Sequence, residues 1–265
     1  MRKRKLIQVI CALLYNCNFT GFAKGTIYQG EGKSVCVPGL NCYSCPGAVA
    51  SCPIGSLQSA LVSSKYKFPY YILGLLLLFG VVLGRVICGF LCPFGLLQEL
   101  LYKIPSPKVK KSKWTRMLSY VKYVILAVFV IGIPLLWAAP GFCKYICPAG
   151  TLEGGIFLVA MDERLQAMTG GLYSWKLFLL LVVVIGAVFI FRSFCRFICP
   201  LGALYSFFHK VSMVGMKIDK EKCNHCNACV AQCKMDVKQV GDRECIQCGE
   251  CIGHCHQCAL SFGKK

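Results

Sequence analysis

The chain has 265 residues, of which 56% are hydrophobic and only 15% are charged, and its formal net charge is +19. This composition excludes a disordered chain, and the lysines and arginines cluster beside apolar segments as in membrane proteins, so no nucleic acid is expected as a partner. The 21 cysteines indicate either disulfide bonds or metal ligation.

Four apolar segments are each close to the roughly 20 residues that a membrane span requires. The first follows the basic sequence MRKRK, and we interpret it as a retained anchor rather than a cleaved signal peptide. The last three are apolar on all faces, unlike a surface helix of a soluble protein. We therefore predict an α-helical integral membrane protein with four transmembrane helices, at residues 6–22, 70–87, 118–139 and 175–191.

The distribution of positive charge predicts the orientation of these spans. The N-terminal MRKRK and the basic loop KIPSPKVKKSKWTR (103–116) indicate the cytoplasmic side. Loops 24–69 and 140–174 then face outward, and both termini of this multi-pass protein lie on the cytoplasmic side of the cell (inner) membrane. The predicted domains are an N-terminal anchor (1–27), an outer cysteine-rich loop (28–69), a membrane domain (70–212) and a cytoplasmic domain (213–265).

An internal repeat of Cys-Pro-x-Gly followed by an amphipathic stretch occurs four times. Proline suits the first turn of a helix, so each repeat predicts a cysteine followed by a short re-entrant or interfacial helix. The positive end of the helix dipole then faces the cysteine, which predicts a lowered thiol pKa. The repeats are SCPIGSLQSAL (51–61), CGFLCPFGLLQELL (88–101), CKYICPAGTLEGGI (143–156) and CRFICPLGALYSFF (195–208).

The second and fourth repeats lie on the cytoplasmic side in this topology. Their two Cys-x-x-x-Cys pairs supply four sulfurs, a donor set that suits zinc or an iron–sulfur cluster. Two independent buried pairs are the alternative, since disulfide bonds are not expected on the cytoplasmic side. The candidate inner ligands are Cys88, Cys92, Cys195 and Cys199.

The first and third repeats lie on the outer side, where six cysteines exceed the four that one cluster needs. The first repeat has Ala48 where the others have their first cysteine, so Cys42 or Cys45 would have to substitute. One cluster with a spare pair fits this count, and a fully disulfide-bonded outer face is the alternative. The outer candidates are Cys36, Cys42, Cys45, Cys52, Cys143 and Cys147.

The C-terminal region contains two Cys-x2-Cys-x2-Cys-x3-Cys runs, CNHCNACVAQC (223–233) and CIQCGECIGHC (245–255). This is the bacterial ferredoxin spacing, in which the fourth cysteine of each run ligates the other cluster. A zinc module is the alternative, although zinc motifs do not need the third and fourth cysteines. We predict an α+β domain with two [4Fe–4S] clusters, one on Cys223, Cys226, Cys229 and Cys255 and the other on Cys245, Cys248, Cys251 and Cys233, with Cys258 as a spare buried thiol.

On these motifs the C-terminal domain resembles two-cluster bacterial ferredoxins, with Lys234 and His256 where the family usually has proline. The whole chain resembles the NapH-type membrane polyferredoxins, relatives of the membrane parts of NosR and CcoG proteins. That resemblance depends on Cys-x-x-x-Cys-Pro at 88–93, 143–148 and 195–200, on the four spans and on the ferredoxin motifs. It implies [4Fe–4S] clusters and electron transfer at a membrane.

Three functions are compatible with these features. The first is an electron carrier with four clusters, two in the ferredoxin domain, one inner and one outer, which connects a cytoplasmic ferredoxin or flavoprotein with an outer redox protein. The second is a quinol dehydrogenase subunit, for which Glu99, Glu153 and His209 are acid–base candidates, although Glu99 and Lys103 also suit an ordinary helix ion pair. The third is an accessory factor in metalloenzyme maturation. No catalytic constellation or nucleotide motif is present.

Overall fold

A computed structural model describes residues 2–63, 70–109 and 111–264. The end of the predicted outer loop (64–69) and Lys110 of the predicted basic loop therefore lie outside the described residues. The described fold is mostly helical. Its α-helices are Arg2–Tyr15, Phe19–Lys24, Pro53–Val62, Tyr70–Val82, Val86–Phe90, Pro93–Leu101, Lys113–Leu118, Val121–Ile125, Ile133–Trp137, Gly141–Tyr145, Pro148–Gly150, Ile156–Met161, Glu163–Ala167, Gly171–Phe189, Ser193–Phe197, Pro200–Phe207 and Ala228–Ala231, with π-helical Leu126–Gly132 and Thr151–Gly155 and 3₁₀ turns Glu31–Ser34 and Glu250–His254.

Two helical stretches in the described residues are long and apolar enough to cross a membrane, Lys113–Trp137 and Gly171–Phe189. Only 33% and 17% of their most apolar windows are buried, whereas the core helix of a soluble protein would be mostly buried. The first stretch widens into a π-helix just before Pro134. Because a proline ring clashes with the preceding turn of a regular α-helix, this widening accommodates it within the span.

The other two predicted spans are shorter or broken. The segment 6–22 forms two helices, because the side chains of Asn16 and Asn18 leave the helix to bond the outer loop. The amide of Asn16 donates to Asn41 Oδ1 at 2.9 Å, and that of Asn18 donates to the carbonyl of Pro46 at 2.9 Å. The segment 70–87 is divided between helix Tyr70–Val82 and the start of helix Val86–Phe90, because the backbone turns between them at Gly84, whose φ is +48°.

The C-terminal domain contains a two-stranded antiparallel sheet. Strand Val214–Ile218 pairs with strand Leu260–Lys264, so that Val214 faces Lys264 and Ile218 faces Leu260. The strands flank both cysteine runs in the sequence. Pairing them closes this region into one unit.

One hydrophobic core joins the outer loop, the membrane domain and the C-terminal domain. It includes Leu40 of the outer loop, Phe194 of the membrane domain and Ile246 of the second ferredoxin motif, and each is at most 2% exposed. The C-terminal domain is therefore packed against the membrane domain rather than tethered to it.

Buried ion pairs reinforce this contact. Glu244 of the C-terminal domain binds Lys122 at 2.6 Å and lies 3.5 Å from Arg85, and all three side chains are at most 1% exposed. A buried charge that loses its partner is strongly destabilising, whereas an exposed pair contributes little. Glu244 should thus be a principal anchor of the C-terminal domain.

We expect Glu244→Ala to lower the free energy of unfolding of the docked C-terminal domain by ~3–5 kcal/mol, because it leaves two buried cations unpaired. The measurement is the urea dependence of protease cleavage between the membrane and C-terminal domains. Asp219→Asn is the matched control, since Asp219 pairs with Lys222 at an exposed site. Equal protease sensitivity of the two variants would contradict the anchoring role.

Candidate metal centres

The inner site is a group of four buried thiols. Its members are Cys88, Cys92, Cys195 and Cys199, each at most 8% exposed. A charge on Cys88 or Cys195 would raise the pKa of both Cys92 and Cys199, so the four thiols of the second and fourth repeats lie close together. Their role as cluster ligands stays a prediction.

The structure brings four of the six outer cysteines together. A charge on Cys42, Cys52 or Cys143 would raise the pKa of the Cys147 thiol, so these four thiols lie close together. A Cβ atom built on Gly150 would be 3.5 Å from the Cys42 sulfur and 3.9 Å from the Cys147 sulfur, so this glycine lies against both thiols. Of the two substitutes that the sequence allowed for the missing cysteine, Cys42 is the one that joins this group.

The remaining two outer cysteines make other contacts. The thiol of Cys36 bonds the hydroxyl of Ser56 at 3.3 Å. The sulfur of Cys45 accepts the backbone N–H groups of Gly47 and Ala48. The outer site therefore has a spare pair, and every cysteine of the described residues is a free thiol.

The Cys-Pro-x-Gly sequence creates the same local contact four times. In each repeat the glycine N–H, in the first helical turn, points at the sulfur of the preceding cysteine. The pairs are Gly55 and Cys52, Gly95 and Cys92, Gly150 and Cys147, and Gly202 and Cys199. The Cys-Pro-x-Gly sequence therefore positions a backbone N–H donor next to the cysteine sulfur in each repeat.

The predicted lowering of the thiol pKa is wrong for the free thiols. Burial raises the pKa of Cys147 and of Cys52, and their glycine N–H donors offset only part of that rise. Thiolates are therefore favoured only when a positively charged metal group is bound.

A matched pair of glutamines completes the two membrane-domain sites. Gln58 Nε2 donates to the Cys143 sulfur at 3.1 Å, and Gln98 Nε2 donates to the Cys195 sulfur at 3.0 Å. Each glutamine also accepts the N–H of the residue before that cysteine, Phe142 in one site and Phe194 in the other, at 2.9 and 3.0 Å. Both glutamines stand six residues after a Cys-Pro cysteine, a spacing that the sequence interpretation missed.

The same position differs in the third and fourth repeats. Glu153 accepts the backbone N–H of Cys42 at 2.7 Å, and burial raises its pKa to about 7. The hydroxyl of Tyr205 donates to the carbonyl of Pro38 at 2.9 Å and so fastens the outer loop to the fourth repeat. The two sites therefore share a framework and differ in these contacts.

The predicted ion pair between Glu99 and Lys103 is wrong. Glu99 instead binds Arg4 at 2.8 Å and Arg192 at 2.6 Å, inside the protein. It is held by two cations beside the inner site. The third acid–base candidate, His209, has its Nδ1 2.8 Å from the Ser206 carbonyl.

Two buried arginines beside the inner site were also missed. Arg85 donates to the carbonyl of Gly202 at 2.9 Å, and Arg192 donates to the carbonyl of Cys88. A signal was available, because both inner repeats read Arg-x-x-Cys-x-x-x-Cys-Pro, whereas the third repeat has Pro140 in place of the arginine.

The second ferredoxin group is compact. Cys251 lies close to Cys245, Cys248 and Cys233, and also to Cys229 of the other run, so the exchange of the fourth cysteine stays a prediction. Burial raises the pKa of Cys233 to about 11 and that of Cys251 to about 12.

The other ferredoxin group is more exposed. Cys229 lies within reach of Cys223 and Cys226. The sulfur of Cys255 accepts the N–H of Ala259 at 3.4 Å. The assignment of Cys255 to this group stays a prediction, and Cys258 is exposed.

Each of these sites offers cysteine sulfur alone, a donor set that suits an iron–sulfur cluster or zinc. In the part of the chain that the structure describes, no group of three or more His, Cys, Asp or Glu side chains could hold a single metal ion.

Comparison with known proteins gives a family match. The model of the 4Fe-4S binding domain matches residues 68–112, 123–163 and 173–220. These ranges contain the second, third and fourth Cys-Pro repeats. No solved structure matches the chain.

The relatives come from several organisms. Two uncharacterized proteins of Methanocaldococcus jannaschii are 32% and 30% identical over 68% and 69% of this chain, which span 65% and 73% of their own lengths. The ferredoxin-type protein NapH of Haemophilus influenzae is 24% identical over 72% of this chain and 67% of its own length.

We expect Cys42→Ser to lower the iron content of the anaerobically purified protein from about 16 to about 12 atoms, the loss of one [4Fe–4S] cluster. Cys45→Ser is the matched control and should retain all of the iron, because Cys45 lies outside the group of four. Iron and sulfide counting makes the measurement. Iron loss in Cys45→Ser without loss in Cys42→Ser would reverse the assignment.

Proposed function

Because the chain belongs to the 4Fe-4S binding domain family, a NapH-type group of iron–sulfur electron-transfer proteins, we propose that it carries electrons across the membrane. Its partners are a cytoplasmic ferredoxin or flavoprotein and an outer redox protein. Four transmembrane segments hold it in the cell membrane with both termini cytoplasmic. The two apolar, poorly buried helices support this location.

The observation that carries the proposal is that the outer loop touches both membrane-domain sites. The N–H of Leu40 bonds the Cys92 sulfur of the inner site. The N–H of the next residue, Asn41, bonds the Cys52 sulfur of the outer site. Adjacent Cα atoms are only 3.8 Å apart, so a single dipeptide connects the two sites through hydrogen bonds.

A second group supports the short path between these sites. Tyr205 is fully buried, and it lies within electrostatic reach of Cys88 in the inner site and Cys52 in the outer site. The hydrocarbon core of a membrane is ≈ 30 Å thick, which is too wide for an electron to cross in one tunnelling step. Two redox sites within the protein, connected by one loop, would replace that single step by shorter ones.

The inner site also adjoins the C-terminal domain. A Cβ atom built on Gly89, next to Cys88, would lie 3.7 Å from the Cα atom of Cys248 and would collide with the carbonyl of Ile246. The second ferredoxin group therefore packs directly against the inner site. The described residues form a continuous series from ferredoxin group to inner site to outer site.

Four groups of thiols would hold the cofactors. A bound [4Fe–4S] cluster supplies a reversible one-electron couple. One electron leaves a reduced cytoplasmic partner and one reaches an oxidised outer partner, with no bond made or broken. The proposed ligands are Cys223, Cys226, Cys229 and Cys255; Cys233, Cys245, Cys248 and Cys251; Cys88, Cys92, Cys195 and Cys199; and Cys42, Cys52, Cys143 and Cys147.

The direct test uses the holoprotein in sealed vesicles that contain an impermeant oxidised dye. A reduced soluble ferredoxin is then added outside the vesicles. Protein molecules whose C-terminal domain faces outward should accept its electrons and pass them to the dye inside. Cys143→Ser should slow dye reduction at least 100-fold, whereas Cys36→Ser should not. Unchanged dye reduction by Cys143→Ser would refute an electron path through the outer site.

Gly39→Val tests the loop itself, because a Cβ atom there would be 3.0 Å from the Leu91 carbonyl and 3.1 Å from the Cys92 Cα atom. The displaced loop should slow dye reduction while the iron content stays complete. A full rate with full iron would place the electron path elsewhere.

A cavity favours the quinol dehydrogenase as a second candidate. It measures about 640 Å³, opens beside the outer cysteines and is lined by Tyr71, Ile72 and Lys176 among others. Pockets of this size accommodate ligands as large as a quinone head group. A quinol bound there would become a quinone by passing two electrons, one at a time, to the outer site and releasing two protons to the solvent at the open side of the cavity.

If the quinol function is correct, a quinol analogue should reduce the purified holoprotein, and Ser59→Trp should block this reduction by filling the cavity that Ser59 lines. Thr169→Trp places the same bulk at an exposed position and serves as the control. Reduction by ferredoxin but not by the analogue would reject this candidate.

A further inference from the structure

We propose that Arg85 and Arg192 selectively raise the reduction potential of the inner site. This inference rests on the proposed iron–sulfur function, and it identifies two residues that set the reduction potential of the inner site. The two arginines occupy the same place in the second and fourth repeats, three residues before the first cysteine of each pair. Both are fully buried, at 1% and 0% exposure.

The position of each guanidinium favours this role. Arg192 lies within electrostatic reach of Cys92 and Cys195, and Arg85 lies within reach of Cys88 and Cys195. Each also packs on the glycine that donates its N–H to a ligand sulfur. A Cβ atom on Gly95 would be 3.1 Å from Arg192, and one on Gly202 would be 3.0 Å from Arg85.

The surrounding carboxylates do not cancel this charge. Glu99 is shared between Arg192 and Arg4, and Glu244 is shared between Arg85 and Lys122. The Glu99 group continues through Arg4 to Glu250 and Lys234, so it contains three cations and two anions, whereas Glu244 is one anion between two cations. Cations therefore outnumber anions in both groups, and the two arginines themselves are buried away from solvent.

The sign of the effect follows from charge. Reduction adds one negative charge to an iron–sulfur site, and nearby positive charge stabilises that state, which raises the potential. The outer site lacks this pair of arginines, since Pro140 stands at the arginine position and the Glu153 carboxylate accepts the backbone N–H of Cys42. Of its two lysines, Lys33 is buried and donates to the carbonyl of Tyr43, whereas Lys176 lines the open cavity, where solvent screens it.

The test is a redox titration of the holoprotein followed by low-temperature electron paramagnetic resonance. The inner and outer signals are assigned beforehand by their loss in Cys195→Ser and Cys143→Ser. Arg192→Gln and Arg85→Gln should each lower the reduction equilibrium constant of the inner site at least tenfold, ~59 mV for a one-electron couple. The potential of the outer site should not change.

Two further variants separate charge from structure. Arg192→Lys keeps the charge and should retain most of the potential, whereas Glu99→Gln removes a negative charge and should raise the potential. Arg192 and Glu99 bind each other, so a loosened fold would shift the potential in the same direction in Arg192→Gln and Glu99→Gln. Opposite shifts of the potential therefore indicate an effect of charge. Lys176→Gln is the matched control at the outer site, where we expect a shift below threefold.

The outcomes distinguish this inference from the proposed function. An inner signal whose potential is unchanged in Arg85→Gln and Arg192→Gln, with electron transfer across vesicles intact, would overturn the inference alone. If Cys195→Ser removes no signal and no iron, the inner site binds no cluster, and the proposed function fails with it.

Discussion

The structure depends on the compensation of negative charge at buried sulfur. Cluster ligands must be thiolates, and an anion in an apolar interior is costly unless donors or cations surround it. The chain supplies glycine N–H groups in all four Cys-Pro repeats and a glutamine at each membrane-domain site. The inner site adds cations from the N-terminal helix (Arg4), from the turn after Tyr70–Val82 (Arg85) and from the segment after Gly171–Phe189 (Arg192). The ion pairs around this one site therefore also connect distant parts of the chain.

Repetition explains why much of the site could be predicted from the sequence. The Cys-Pro-x-Gly motif encodes a helix start next to a sulfur, and the positive charges beside the apolar segments predicted a topology that pairs the second repeat with the fourth and the first with the third. Both features depend on residues close together in the chain. The structure brings the thiols of the inner site and of the second ferredoxin run close together, and their role as cluster ligands stays a prediction.

Contacts between distant residues could not be predicted. The choice of Cys42 over Cys45 depends on Glu153, which is 111 residues away. The break in the first helix depends on the partners that Asn16 and Asn18 find in the outer loop. Glu99 prefers two arginines from distant segments over Lys103 on its own helix, because a buried carboxylate gains more from two charged donors than from one exposed lysine.

The contact between Arg4 and Glu250 has a consequence for the order of folding. These residues are 246 positions apart, and Arg4 also binds Glu99 and the Gly89 carbonyl at the inner site. Since contacts between distant segments form late in folding, the ion pairs beside the inner site are completed only when the C-terminal domain docks.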